Sequence, residues 1–241
     1  MDQFLGDDGL PVSEMTGQLD WREDGALSAQ ISAMSRRQRY QAAYLALRRL
    51  QAPLLTIEMP LEWGVETSLL GSLFRAGAAQ LDGEVNENID HAVAELVSAP
   101  LFESQIEPEF SESFQLEAIN GWLMLSESLG EMSEEQTDRL VGLAREMAFY
   151  LDSQLEGSLT VVAGEAHRES YLAGVDDRFR AYRLGYFGTR NLEIEGACHE
   201  SVLVDSLGDD LLGSDAGRRL AAACDEYSGE LSSALQAFAI G

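Results

Sequence analysis

One segment of the chain, residues 76–138, limits how the protein can fold more than any other. It holds fifteen carboxylates and no arginine or lysine, so its net charge is −15, more than half of the −26 carried by the whole chain. At physiological salt, screening acts over about 8 Å, so neighbouring carboxylates on one surface still repel each other. Folding this segment into a compact body therefore concentrates negative charge that counterions or a basic partner must offset.

The composition bounds the class of protein. A chain of 241 residues can bury a sizeable core, and an apolar fraction of 45% is ordinary for a globular protein. No run approaches the roughly 20 apolar residues that cross a bilayer, and the N-terminus lacks the basic start of a signal peptide. We therefore expect a soluble, cytoplasmic protein. Cys198 and Cys224 are expected as buried thiols of a reducing compartment, with a disulfide left open.

All sixteen basic residues are arginine. Codon bias of a GC-rich genome, adaptation to salt and selection against lysine modification are three open explanations. The lack of lysine excludes a Walker A phosphate loop, a lysine Schiff base and a Ser-x-x-Lys nucleophile. The negative charge opposes direct binding of nucleic acid or anionic lipid, and it favours the capture of basic proteins.

Apolar residues recur at three- and four-residue steps through most of the chain, which predicts an all-α fold. We expect one domain of about seven to nine helices over residues 25–241, preceded by an irregular acidic arm over residues 1–24. Residues 157–213 are hard to assign, because Leu192 to Glu195 alternate as in a strand, and at most a minor β-hairpin is expected there. No internal repeat or flexible linker divides the chain.

Capping residues predict several helix boundaries. Ser133 and Gln136 form the Ser-x-x-Gln pattern of a capping box, so a long helix should begin directly after Ser133. Ser214 should cap a final helix. The other helices are expected over residues 28–50, 61–77, 84–98 and 113–129, the last of these centrally, with Gly77 and Gly130 closing two of them.

A dense group of arginines lies on the predicted helix 28–50. Its members fall mostly off the apolar stripe of that helix and are Arg36, Arg37, Arg39, Arg48 and Arg49. The pattern favours a solvated helix face that pairs with the protein's own acids. A phosphate site is the alternative, although the surrounding potential opposes anions.

Acids and aromatic residues alternate between residues 101 and 112, which predicts a loop around Pro108. Such a loop could enter a basic cleft, with the acids steering the partner and the aromatic rings anchoring it. The alternative is a connector whose rings fold back into the core. The candidate partner-binding residues are Glu103, Glu107, Glu109, Glu112, Glu117, Phe102 and Phe110.

Residues 35–43, Ser-Arg-Arg-Gln-Arg-Tyr-Gln-Ala-Ala, followed by Leu61-Glu62-Trp63, resemble the opening helices of all-helical bacterial immunity-type proteins, including members encoded beside polymorphic toxins. The resemblance covers about the first third of the chain. It implies a small cytoplasmic antidote that binds a toxin domain and blocks it. No functional residue carries over, because no specific motif matches.

The sequence offers little for catalysis or metal binding. The histidines His91, His167 and His199 match neither the di-iron nor the zincin helix motif. The remaining enzymatic candidates are Cys198 with His199, and an Asp209-Asp210 metal site that resembles the aspartate-rich magnesium site of prenyl-diphosphate enzymes.

The leading hypothesis is a non-enzymatic acidic protein, without cofactor or metal, that captures and masks a basic protein such as a toxin domain. Direct contact with nucleic acid or membrane is not expected. A helical enzyme using His199, Cys198 or the Asp209-Asp210 pair is the first alternative, and a self-associating structural protein is the second.

Overall fold

The computed structural model describes residues 25–81, 88–103, 110–154, 185–204 and 211–240. These residues form ten α-helices and one 3₁₀ turn, and they contain no strand, so the predicted all-α single domain is confirmed. The count exceeds the expected seven to nine because two short helices, α3 and α6, are added. The predicted arm over residues 1–24 lies outside the described part. No described helix is both long and apolar enough to cross a bilayer.

The helix bounds are α1 Gly25–Ala33, α2 Arg36–Arg48, α3 Gln51–Thr56, α4 Thr67–Leu81, α5 Asn88–Val97, α6 Pro100–Glu103, α7 Phe110–Glu127, α8 Glu134–Gln154, α9 Tyr186–Leu203 and α10 Asp215–Ile240. The 3₁₀ turn, Leu61–Trp63, lies between α3 and α4.

Helix α2 connects the most parts of the domain. Every residue from 40 to 47 is buried, so this stretch of the helix is enclosed by the protein on all its faces. The helix packs against α3, α4, α7, α8, α9 and α10. Helix α7, expected to be central, packs against α2, α3, α4, α5 and α8. Unlike α2, it makes no extensive contact with α9 or α10.

Two capping boxes set helix starts in the first two thirds of the chain. At α8, the backbone N–H of Gln136 donates to Ser133 Oγ at 3.2 Å, and Ser133 N–H donates to Gln136 Oε1 at 3.0 Å, which confirms the predicted boundary. Ser35 and Gln38 form the same box at α2. This second box was missed, so the predicted helix over 28–50 is wrong and is two helices, α1 and α2.

The predicted helix over residues 61–77 is also wrong at both ends. The 3₁₀ turn ends at Gly64, whose φ of +63° is left-handed, and α4 begins only at Thr67 and continues to Leu81. Gly77 lies inside α4 instead of capping it. A Cβ there would stand 3.1 Å from the Trp122 ring, so glycine allows α7 to approach α4 closely.

The strand-like alternation over residues 192–195 is part of a helix, α9. Leu192, Glu195, Cys198 and Val202 are all buried and recur at three- and four-residue steps. Four residues are too few to separate period 2 from period 3.6. The minor hairpin therefore does not occur within this segment.

Gly130 and Gly142 should respond in opposite ways to alanine. Gly130 closes the turn after α7 with φ +82°, and a Cβ there would lie 3.1 Å from the Gln80 carbonyl oxygen. We expect Gly130→Ala to lower the free energy of unfolding by about 1–2 kcal/mol. Gly142 has open space within α8, so Gly142→Ala should raise that free energy by up to about 1 kcal/mol. Urea unfolding measures both, and equal effects of the two substitutions would contradict this assignment.

Candidate functional site

The arginines of α2 pair with the protein's own carboxylates. Arg39 lies 2.7 Å from Glu134, Arg48 lies 2.6 Å from Asp225, and Arg36 lies 3.9 Å from Glu131. Arg37 donates a hydrogen bond to the Leu81 carbonyl. These contacts confirm the predicted pairing with internal acids and join α2 to α8 and α10.

The same pairs divide the acidic segment 76–138 into two parts. Glu134 in the first turn of α8 and Glu131 just before that helix pair with arginines of α2. The exposed carboxylates Asp90, Glu117, Glu127 and Glu135 pair with no basic side chain of the described residues. Helices α5 and α7 pack against one another, so Asp90 and Glu117 lie on neighbouring helices of the uncompensated part.

The residues predicted to bind a partner lie on α6, on α7 and in the connection between them. Glu117 is exposed on α7, and Glu112 is half-buried in the first turn of that helix. Phe102 of α6 packs against the core, as expected for a connector whose rings fold back into the protein. Glu103 and Phe110 end α6 and begin α7, whereas Glu107 and Glu109 lie outside the described residues.

A second group of acids lies between α3 and α4 and was missed by the sequence reasoning. Glu58, Glu62 and Glu66 are exposed and pair with no basic side chain in the described part of the chain. Between them, Met59 and Pro60 are half-exposed and Leu61 is 89% exposed. We call residues 58–66 the acidic corner. The predicted helix over residues 61–77 hid it, because that prediction placed Leu61, Glu62 and Glu66 inside one continuous helix, whereas the structure breaks the chain at Gly64.

The acidic corner lies against the segment predicted to bind the partner. A Cβ on Gly64 would stand 2.6 Å from Pro100 Cδ, so the corner touches the first residue of α6. Gln115 of α7 donates from Nε2 to the Ile57 carbonyl at 3.1 Å, just before the corner begins. Glu112 lies one turn before Gln115 on the same helix. The corner therefore lies beside α6 and α7, and the exposed Glu117 of α7 has no basic partner among the described residues.

Arg49 departs from the prediction of a solvated arginine face. It is 1% exposed, and one terminal nitrogen of its guanidinium lies 3.7 Å from Glu195 Oε2. Arg145 of α8 donates from Nε to both oxygens of the same carboxylate, at 3.0 and 2.9 Å. Burial alone would raise the pKa of Glu195, but Arg145, His199 and Arg49 hold it below its ordinary value. The three side chains form a buried ion cluster where α2, α8 and α9 meet.

The enzymatic candidates Cys198 and His199 lie beside this cluster. Both are about 1% exposed, and His199 Nδ1 lies 2.8 Å from Gln30 Oε1 of α1. Burial lowers the pKa of His199 to about 4. A neutral, enclosed imidazole suits a core position.

The remaining candidate from the sequence is the Asp209-Asp210 metal site. Asp209 and Asp210 lie outside the described residues, and Asp215 pairs with Arg218 in the first turn of α10. Within the described ranges, no three His, Cys, Asp or Glu side chains converge as a metal site would require. A surface cleft of about 420 Å³ between α2, α4 and α10 is lined by Tyr44, Phe74 and the Arg48–Asp225 pair.

No protein-family model, curated protein or solved structure matches this chain.

The buried ion cluster should be far more sensitive to substitution than a surface pair on the same helix. Glu195→Gln leaves two buried guanidiniums without a counter-charge, and we expect it to lower the free energy of unfolding by about 3–5 kcal/mol. The control is Glu193→Gln, which breaks an exposed pair with Arg190 of 3.6 Å and should cost about 1 kcal/mol or less. Chemical denaturation of both variants at pH 7 tests this, and similar losses would contradict the buried cluster.

His199 should make the fold sensitive to acid. Its pKa is 6.5 when unfolded and about 4 when folded, so its stabilisation is complete above pH 6.5 and is lost as the pH falls towards 4. The wild type should lose on the order of 3 kcal/mol over this range relative to His199→Gln. His91→Gln, at an exposed histidine, is the control. Parallel curves for wild type and His199→Gln would overturn the prediction.

The comparison with a variant is needed because Asp152 acts in the opposite direction. Its carboxylate accepts hydrogen bonds from the backbone N–H groups of Phe187, at 2.9 Å, and Gly188, at 2.6 Å. Burial raises the pKa of Asp152 from 3.8 to about 6. Its contribution is complete below pH 3.8 and is lost as the pH rises through 6. Subtracting the two curves removes this contribution, because both proteins keep Asp152.

Proposed function

We propose that this protein is a non-enzymatic acidic binding protein of the cytoplasm, which captures a basic protein partner and masks its functional surface. The partner class that fits best is a toxin domain with a basic groove for nucleic acid, so that the protein acts as an immunity-type inhibitor. Carboxylates would then occupy the places that phosphates take in the partner's groove.

The observation that carries this proposal is the uneven compensation of charge. The arginines of α2 pair with Glu131, Glu134 and Asp225, whereas the exposed carboxylates of the acidic corner, of Asp90 on α5 and of Glu117 on α7 pair with no basic side chain among the described residues. Unpaired carboxylates on one side of a surface accelerate the approach of a cationic partner. Since the chain carries −26 in total, a partner of opposite charge also relieves self-repulsion.

The apolar ridge of the acidic corner gives this surface a point of contact. Met59, Pro60 and Leu61 follow one another at the surface and are flanked by Glu58 and Glu62. Complexes commonly place apolar contacts inside a charged rim, where the charges set the on-rate and the apolar contacts slow dissociation. The corner therefore supplies both contributions within one short segment.

Charge reversal tests the location of the surface. We expect the triple variant Glu58→Arg, Glu62→Arg, Glu66→Arg to lose the basic proteins that the wild type captures from its source cells, quantified by mass spectrometry. The matched control, Glu135→Arg, Glu146→Arg, Glu200→Arg, has the same net charge and changes exposed acids of α8 and α9. It should keep those partners. Equal losses in both variants would indicate unspecific attraction to a polyanion and overturn the proposal.

The captured partner then allows a kinetic test. The association rate should fall at least tenfold between 50 and 500 mM salt, on the order expected for electrostatic steering. Leu61→Ala should leave that rate unchanged and speed dissociation. An association rate independent of salt, or a captured partner that is itself acidic, would show that charge does not drive binding.

A further inference from the structure

Arg75 of α4 is an exposed arginine that pairs with no carboxylate of the described residues. Its Nη2 donates a hydrogen bond to Ser72 Oγ of the same helix at 3.1 Å. A Cβ on Gly71 would stand 3.5 Å from Arg75 Nη1, so the side chain lies back along α4 over that glycine. A guanidinium carries five N–H donors, and the bond to Ser72 uses one of them. Arg75 is therefore positioned by its own helix and has donors for a further acceptor.

Arg75 lies at the edge of the surface cleft between α2, α4 and α10. This cleft encloses about 420 Å³, a volume within the range of small-molecule sites. Most of its lining is apolar and comes from Tyr44, Ala52, Leu55, Phe74 and Ala78. Leu55 of α3 is 42% exposed, so an apolar side chain is available at the surface of the cleft. The cleft thus combines an apolar lining with a cation at its edge.

The aromatic part of the lining is supported by the core. Trp122 of α7 is fully buried, and its ring centroid lies 4.6 Å from that of Phe74 and 5.9 Å from that of Tyr44. Both rings are therefore packed in place before any ligand arrives. A ligand that binds to an ordered surface loses less of its contact energy to the ordering of the protein.

The charged side chains of the cleft are Arg48, Arg75 and Asp225. Arg48 takes both oxygens of Asp225, at 2.6 and 2.7 Å, and donates from its third nitrogen to the Tyr44 hydroxyl at 3.0 Å. Arg48 and Asp225 therefore neutralise each other. Arg75 leaves the cleft with one net positive charge, although the whole chain carries −26.

The other side of Arg75 limits the charge that a ligand can carry. There, a second cleft of about 360 Å³ between α4 and α5 is lined by Ser68, Ser72, His91 and Glu95. His91 and Glu95 are exposed, and His91 Nε2 lies 3.9 Å from Glu95 Oε2. Glu95 opposes an anion on this side, and a dianion at Arg75 would meet repulsion from both Glu95 and Asp225. The charges therefore favour a single negative charge that reaches Arg75 from the apolar cleft.

We propose that the cleft between α2, α4 and α10 binds a small aromatic carboxylate. The carboxylate accepts hydrogen bonds from Arg75, because a guanidinium matches the two oxygens of that group. The ring packs against Phe74, Leu55 and Ala78, where aromatic and aliphatic contacts are available. This site goes beyond the proposed capture of a basic protein. A cationic cleft and an acidic surface take ligands of opposite charge, so either proposal can fail without the other.

Three related probes test the recognition of charge on the unaltered protein. They are 2-naphthoate, the neutral 2-naphthamide and the dianionic 2-naphthyl phosphate, each followed by NMR of backbone amides and arginine side chains. We expect 2-naphthoate to bind with a Kd of about 1 mM or tighter and to shift the signals of Arg75, Leu55 and Ala78. The amide and the phosphate should bind at least about fivefold more weakly. An amide or a phosphate that binds as tightly as the carboxylate, or shifts confined to residues outside the cleft, would overturn the proposal.

Removal of the cation tests the role of Arg75. Arg75→Gln should weaken 2-naphthoate at least about fivefold and leave 2-naphthamide unchanged. The matched control is Arg139→Gln, which removes an exposed arginine of α8 that also pairs with no carboxylate of the described residues. It changes the net charge equally and should leave both affinities unchanged. Equal losses of 2-naphthoate binding in the two variants would indicate unspecific attraction and contradict the site.

Filling the cleft tests the position of the ring. Ala78 is half-buried, and Ala78→Leu should weaken 2-naphthoate and 2-naphthamide alike, because it occupies the space of the ring. If Ala78→Leu does not fold, Leu55→Asp at the exposed edge replaces it and should weaken 2-naphthoate more than the amide. Wild-type affinity for 2-naphthoate in the folded variant would show that the ring does not lie in this cleft.

Discussion

The carboxylate of Glu195, shared between two buried guanidiniums, is the interaction on which the arrangement of the domain depends. Arg49 follows the last residue of α2, Arg145 comes from α8 and Glu195 from α9, so three helices meet at one ion cluster. Apolar side chains tolerate small rotations of a helix, but a buried ion pair must keep its geometry or leave a charge unpaired. Rotation of α9 would withdraw Glu195 from both arginines and bury less of the Leu192 and Val202 face. The cluster thus selects one orientation of α9 on α2 and α8.

The remaining arginines of α2 also serve at contacts between helices. Arg39 reaches Glu134 at the start of α8, and Arg48 reaches Asp225 on α10. For a chain with −26 net charge, each such pair removes local repulsion and joins two helices at once. Because the few cations are used in this way, they are not distributed over the acidic surface. The pairing of some carboxylates and the exposure of others therefore have the same cause.

The sequence was informative where one local pattern decides a structure. The Ser133–Gln136 box fixed the start of α8, and Ser214 marked α10, since its Oγ accepts from Gly217 N–H at 2.9 Å. The sequence was uninformative where the position of a side chain depends on a residue far away along the chain. Arg49 and Arg48 are neighbours of the same type, yet Arg49 is buried and Arg48 is paired at the surface. The burial of Arg49 depends on Glu195, which lies some 150 positions further along the chain and cannot be identified from the local sequence. The acidic corner was missed because the break at Gly64 depends on left-handed backbone against Pro100, a contact that helix periodicity cannot reveal.

Helix α3 connects the buried cluster to the acidic corner. It begins two residues after Arg49 and ends one residue before Ile57. Three hydrogen bonds fix α3 to α10: Ala52 N–H donates to Ser228 Oγ at 2.7 Å, Gln236 Nε2 donates to the Thr56 carbonyl at 3.1 Å, and the Thr56 and Ser232 hydroxyls bond to each other. The corner is therefore held at one end by α3, which is bonded to α10, and at the other end by Gln115 of α7. A binding segment that is already ordered loses little conformational entropy on association, so more of its contact energy contributes to affinity. The rigidity imposed by a buried arginine thus reaches the surface at which we place the partner.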